Sequence, residues 1–282
     1  MFDDLTSSED DGNAIHRNLK ECKLIAEENE LAQTKLFEET GELPKIDPDL
    51  SIFDQIVNYP PIGWGSVFIK GLNRVDIVDR NLSSKELRKY YPYNPELFTA
   101  YRFCNLSNVK VIIFGQDPYM KLNKDGSTEA VGMSFSARKG AKIPPSLANI
   151  IKELNREYPD LEKNTDGWLG NWATQGVLLL NTFLTYHQRK LQPHEQKIWK
   201  PIINLTIKRV VEVNPDVIVM LWGAVAQKEL DGKFGNRATI LTCGHPSPQN
   251  RNSTFNGCGH FRRANEILIE QGKEPIDWTI KH

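Results

Sequence analysis

The amino-acid sequence predicts an α/β fold in three layers, α/β/α, around a central, mainly parallel four-stranded sheet. Two observations carry this expectation. Four short apolar, β-rich runs, Val109–Phe114, Gly176–Leu180, Asp216–Trp222 and Ala238–Thr242, are each bounded by turn or helix signals. Segments of helical character lie between them, and short continuous apolar strands alternating with helices favour a parallel sheet covered on both faces.

The elements follow in chain order. Met1 to about Asn13 is acidic and poor in apolar residues, so it is expected to be disordered. Ala14–Glu39 reads as a helix rich in Ala, Leu, Glu and Lys, stopped by Gly41 and Pro44. Ile15, Leu19, Cys22 and Ala26 share one of its faces, but the stripe fails at Asn29 and Gln33. Such a short apolar face suits an appendage lying on the body, so the chain divides into an extension, residues 1–43, and a body, 44–282. After the first strand, Ser146–Tyr158 is helical; after the second, Ile198–Asn214. Ala224–Leu230 follows the third strand, and His260–Gln271 the fourth.

Composition bounds the function. At 282 residues, with 39% hydrophobic and 25% charged residues, the chain fits a soluble globular domain with an appendage. No apolar run approaches the roughly 18 residues of a membrane span, and the acidic N-terminus has no apolar core of a secretory signal. A reducing, intracellular setting, nucleus or cytoplasm, is therefore expected. The net charge of −1 hides an asymmetry: Met1–Leu43 carries twelve acidic and four basic residues, which leaves the body at +7. A basic body suits a polyanionic partner. The cysteines, Cys22, Cys104, Cys243 and Cys258, form no CxxC pair. Neither a zinc ribbon nor a disulfide scaffold is indicated, and free thiols are expected.

The compact polar residues fall where the strands end. Gly115-Gln116-Asp117-Pro118-Tyr119 follows the first strand, Asn181 ends the second, Trp222-Gly223 closes the third, and Gly244-His245-Pro246-Ser247-Pro248 follows the fourth. Parallel sheets bind ligands beyond their carboxyl ends, so these loops predict one cleft.

These loops resemble family 1 of the uracil-DNA glycosylases. Gly115–Tyr119 is similar to that family's water-activating motif, and Gly132-Met133-Ser134-Phe135-Ser136 to its base-stacking segment. Pro144-Pro145-Ser146-Leu147 resembles the loop that compresses the DNA backbone, Leu178-Leu179-Leu180-Asn181 the uracil-reading strand, and His245-Pro246-Ser247-Pro248 the intercalation loop. Gly257-Cys258, His260-Phe261 and Pro275-Ile276-Asp277-Trp278 match the C-terminal signature. The resemblance spans about Lys110–Trp278 and does not reach the segment before about Ser84.

The resemblance implies a chemistry that these residue types can perform. Expelling a uracil anion leaves positive charge on the sugar, so both ends of the breaking bond need electrostatic help. Asp117 would stabilise the oxocarbenium-like sugar and orient water. His245, with backbone N–H groups near Gln116 and Asp117, would meet the charge developing on uracil O2. The Asn181 amide would pair with N3–H and O4, which cytosine presents in the opposite sense. Tyr119 would block thymine's methyl group, and Phe135 would stack on the base. Pro144, Pro145, Ser146, Ser247, Pro248 and Gln249 would contact DNA from which the nucleotide has been flipped. Taken singly, each residue has an ordinary reading: Asp before Pro builds Asx turns, a loop His caps turns, and Phe packs cores.

The resemblance further implies a metal-independent, monofunctional hydrolase that needs no cofactor. The expected partners are uracil-containing DNA, single- or double-stranded, and replication or repair proteins. A monomer is expected, with no membrane association. Four departures stand out: Met120 in place of histidine, an insertion of about five residues within Lys121–Ala130, Ala224 in place of serine, and Gln249 in place of leucine. They suggest a divergent member, such as a large DNA virus would carry. They also leave open a DNA-binding or replication-accessory protein that keeps the fold without the activity.

Overall fold

The computed structural model describes residues 17–82, 89–161, 166–187, 197–250 and 254–280; the acidic head lies outside them. Helix α1 (Leu19–Thr40) begins later than composition suggested. Asn18 is its N-cap and accepts the Glu21 N–H, and Gly41 ends it at φ 71°. These two residues satisfy end groups that a helix leaves unpaired. The inward face does not stop where the apolar stripe fails. Asn29 Nδ2 donates to Val57 O at 3.0 Å and Gln33 Nε2 to Asn58 O at 2.9 Å. Both carbonyls belong to the last turn of α2 (Ile52–Asn58), which has no partners of its own for them. Apolar periodicity misses a face that is continued by amides.

Two further ties hold α1 down. Glu30 accepts the Gly63 and Gly65 N–H groups at 2.9 and 3.1 Å, at the start of α3 (Gly65–Phe68). Just before α1, Arg17 lies over the Phe53 ring and pairs with Asp76 and Asp79 at 2.8 and 3.0 Å. Both carboxylates are buried on α4 (Leu72–Asn81).

Strand β1 (Tyr90–Tyr91) and helix α5 (Thr99–Phe103) lead to β2 (Val111–Gly115). There follow α6 (Pro145–Glu157), α7 (Gly170–Thr174), β3 (Val177–Asn181) and β4 (Tyr186–His187). Helix α8 (Lys200–Val213), β5 (Ile218–Trp222), α9 (Ala224–Leu230), β6 (Thr239–Cys243) and α10 (His260–Glu270) complete the order. Strand β1 pairs antiparallel with β4, a small ribbon absent from the sequence reading because two-residue strands carry no period.

The main sheet has the order β3-β2-β5-β6, and every neighbouring pair is parallel. Strands β2, β3 and β5 are buried along their whole length. The edge strand β6 differs from the expectation of a sheet covered on both faces. Its residues alternate, and Ile240 is 39% exposed. Thr239 and Thr242 interrupt the apolar run, so one face of this edge meets water.

Register positions the site. Asn181 lies opposite Gly115, Phe114 opposite Leu221, and Trp222 opposite Cys243. Asn181, Gly115, Trp222 and Cys243 therefore form one row across the carboxyl edge, and all four loops leave the sheet at that level.

Behind the sheet, α6 holds α10. Glu153 accepts the Gly257 and Gly259 N–H groups at 2.7 and 3.1 Å, and Glu157 accepts those of Phe261 and Arg262 at 3.4 and 2.6 Å. Gly259 caps α10 without a side chain, so carboxylates from another helix supply the missing acceptors. No helix among the described residues is long and apolar enough to cross a membrane.

Candidate active site

The loop after β2 is fixed by the chain leaving β3. Thr182 N donates to Gly115 O and Phe183 N to Gln116 O, at 3.0 and 3.1 Å, and the Thr182 hydroxyl also donates to Gln116 O. Pairing thus runs past the strand ends and sets Asp117 at the sheet's edge. One oxygen of its carboxylate, Oδ1, is buried without a hydrogen-bond partner. Burial pushes its carboxyl up to about 6, against a partly offsetting hydrogen bond from the Gln116 side chain. An unpaired buried acceptor costs about 1–3 kcal/mol, so the fold tolerates here a group uncommitted within the protein.

Tyr119, by contrast, has a partner within the protein. Its hydroxyl donates to Phe135 O at 2.9 Å. Burial, with the nearby Glu129 charge, holds the phenol above its usual range, so it stays a neutral donor. Phe135 has a positive φ of 60°, a conformation costing about 1–2 kcal/mol for a residue with a Cβ. Ser134 keeps it there: its N–H donates to Leu179 O and its hydroxyl to Ile113 O, both at 3.0 Å. The Phe135 ring stands 5.4 Å from the Trp222 ring and 5.9 Å from that of His245.

Two glycines open space that a Cβ would fill. A Cβ on Gly115 would lie 2.2 Å from Asn181 Oδ1. Asn181 is buried, lines the cleft, and its side-chain amide has no hydrogen-bond partner among the described residues. Gly223, at φ 102°, lets the His245 side chain pass; a Cβ there would meet His245 Cβ at 2.9 Å.

The His245 loop is braced from α6. Asn149 Nδ2 donates to Pro246 O at 2.7 Å, joining the segment that opens with Pro144 and Pro145 to the segment that holds His245. Ser247 N donates to His245 Nδ1 at 3.0 Å, which leaves the proton of the neutral imidazole on Nε2. Burial lowers the His245 pKa, so the ring is neutral at pH 7. At the rim, Pro248 and Gln249 are exposed and the Gln249 N–H donates to the Ser247 hydroxyl at 3.3 Å.

A single cleft of about 600 Å³ is lined by every residue that the sequence singled out: Gln116, Asp117, Tyr119, Phe135, Pro144, Pro145, Ser146, Asn181, His245, Ser247, Pro248 and Gln249. Met120 lies at its mouth and is exposed, as does Lys121. The longer stretch after Met120 is a tight hairpin, with Leu122 bridged to Thr128 and Gly126 N bonded to Asn123 O. Sequence reasoning missed Asn149, Gly115 and Gly223 as positioning residues. Gly115 and Gly223 sat within motifs already noted, but Asn149 gave no signal beyond its place one turn into a helix.

The arrangement sets a pH dependence. If the ionised Asp117 is the working form, single-turnover rates should be flat above about pH 7 and fall roughly tenfold per unit below about 6. His245 protonates below its usual range and would deepen the fall only at lower pH. A pH–rate profile on a single-stranded oligonucleotide checks this; a limb near pH 4 would mean that burial does not raise the Asp117 pKa.

Residues 101–269 match the family model of the uracil DNA glycosylase superfamily. A uracil-DNA glycosylase of Proteus mirabilis is 43% identical over 192 residues, 67% of this chain and 82% of that protein. That of Serratia proteamaculans is 42% identical over 188 residues, covering 67% and 81%. A crystal structure of mimivirus uracil-DNA glycosylase is 27% identical and superposes with a TM-score of 0.67, covering 84% of this chain and 90% of that one.

Proposed function

Because this chain belongs to the uracil-DNA glycosylase superfamily and is a DNA N-glycosylase that hydrolyses the bond between uracil and deoxyribose, we propose how its cleft performs that reaction. One observation carries the reading: a buried carboxylate oxygen, an uncommitted amide and a neutral imidazole line the same cleft. The flipped uracil stacks on Phe135, worth roughly 1–3 kcal/mol for a base on an aromatic ring. Asn181 pairs with N3–H and O4, and cytosine leaves those groups mismatched at about 1–3 kcal/mol each. Tyr119, pinned to Phe135 O, forms the wall that a thymine methyl group would strike.

As the N-glycosidic bond stretches, His245 Nε2–H meets the charge gathering on O2. Asp117 faces the cationic sugar and orients water for attack. Hydrolysis by water leaves an abasic site with the strand intact. The reading needs no metal ion, and the groups of three potential ligands among the described residues, around Cys258, include none of the residues that line the cleft. The test is uracil release from labelled single- and double-stranded oligonucleotides in EDTA. Uracil should leave, thymine and cytosine should stay, and the strand should remain uncut until alkali is added. Activity lost to EDTA and restored by zinc or magnesium would overturn the metal-free mechanism.

The exposed Gln249 stands at the rim where DNA would be wedged open. A leucine in the vacated stack buries apolar area worth about 1.5–3 kcal/mol, whereas glutamine must also find partners for its amide. Gln249→Leu should therefore raise duplex cleavage more than single-strand cleavage. The ratio of single-turnover rates on matched duplex and single-stranded substrates measures this, and an unchanged or lowered ratio would take Gln249 out of the stack.

A further inference from the structure

Cys243 ends β6 two residues before His245, and Cys258 lies at the far end of the same loop, in the turn entering α10. Though separated in sequence, they bring their sulfur atoms within 4.8 Å of each other. Cys243 is anchored: its carbonyl accepts the Gly223 N–H at 2.9 Å and the Gln227 side chain at 2.8 Å. Cys258 is half-buried between two glycines whose N–H groups both bond Glu153.

Cys243, Cys258 and His260 could instead suggest a metal site. The bonding in place argues against that use. His260 Nδ1, 3.9 Å from Cys243 Sγ, accepts the Trp222 indole N–H at 3.0 Å, so its lone pair is occupied. Glu153 is engaged by Gly257, Gly259 and, at 2.9 and 2.8 Å, the Arg156 guanidinium. Either residue could act as a ligand only by releasing bonds that hold Trp222 behind Phe135, or α10 in place. The two thiols remain.

We propose that Cys243 and Cys258 form a reversible disulfide site that staples the two ends of the His245 loop when the protein meets an oxidising low-molecular-weight disulfide, such as glutathione disulfide. Cys258, the more accessible thiol, loses its proton and attacks one glutathione sulfur. The glutathione S–S bond breaks, and the departing thiolate takes up a proton. Cys243 then loses its proton and attacks the Cys258 sulfur, expelling the second glutathione thiolate, which is protonated in turn. Two electrons pass from the protein thiols to the disulfide, giving one protein disulfide and two glutathione thiols. The hydrogen bond shared with Cys258, with burial adding, raises the Cys243 pKa. Cys243 therefore acts second, once a leaving group is in place beside it.

The test uses the full chain equilibrated in glutathione buffers from reducing to oxidising, followed by alkylation, digestion and mass spectrometry. At the oxidising end, a peptide pair linking Cys243 to Cys258 and lighter by two hydrogens should appear, with Cys22 and Cys104 still alkylated. Dithiothreitol should reverse it. Amide exchange across residues 244–257 should slow by about tenfold in the linked form. Cys243→Ala should show neither change, and Cys258→Ser gives the same check should that variant not fold. Four alkylated thiols throughout, a lasting mixed disulfide on Cys258 alone, a dominant link to Cys22 or Cys104, or unaltered exchange in the linked form would each overturn the proposal.

Discussion

Asp117→Asn should slow single-turnover uracil release by about 10²–10⁴-fold, the scale of a positioned catalytic carboxylate. The substitution keeps size and shape, so the loop after β2 retains its pairing with Thr182 and Phe183. It removes the negative charge that, in the proposed mechanism, faces the sugar as the bond breaks, and leaves a group that cannot draw a proton from water. Because burial disfavours the charged form of this carboxyl, a neutral amide should fold at least as stably. The acid limb near pH 6 should vanish from the residual rate. Binding of uracil-containing DNA should fall far less than turnover. A variant with full single-turnover activity would show that Asp117 does not carry the chemistry.

His245→Leu should cost about 10²–10³-fold, as for one lost donor to a developing oxyanion. Leucine still fills space beside Phe135, but it offers no N–H to O2 and no acceptor for Ser247 N, which now bonds His245 Nδ1. To separate these losses, the parallel substitution His245→Gln restores a donor near the same position and should recover part of the rate. Single-turnover rates on single-stranded DNA provide the measurement, because duplex opening does not contribute there. Equal losses for Leu and Gln would assign His245 to loop support rather than to charge stabilisation.

Three of the four strands were legible because their apolar runs are continuous and bounded by Gly, Pro and Asn, and β6 because its interrupted run is still β-rich and ends at a turn signal. Each lies within one or two residues of its expected place; the shift of the first, for example, follows from a tight turn at Leu106–Asn108 that takes up Val109. Asn181 and the loops of Asp117 and His245 could be placed together because they sit at strand ends that the parallel register brings to one edge. Phe135, between β2 and α6, and Pro144, Pro145 and Ser146, at the start of α6, came only from the family resemblance. Other features depend on contacts between distant segments. The amide-bonded face of α1 has no apolar period, and Asn149 is a polar residue in an amphipathic helix until the Pro246 carbonyl is seen beside it. The cysteine spacing likewise says nothing about sulfurs that meet only because β6 and the start of α10 lie side by side.

The strained backbone of Phe135 has a kinetic consequence. The Phe135 backbone and the Tyr119 hydroxyl are held by hydrogen bonds within the protein, and Asn181 lines the same cleft, so folding itself orders this wall. A wall ordered by folding lowers the cost of binding for the free base as well as for a flipped nucleotide. In the proposed mechanism, uracil would keep its stacking and amide contacts once the bond is cut and lose its tether to the sugar. Departure of this small product is then a step with its own barrier. On the proposed reading, free uracil would compete with DNA for the same ring, and the contacts that select the base would also slow the emptying of the cleft.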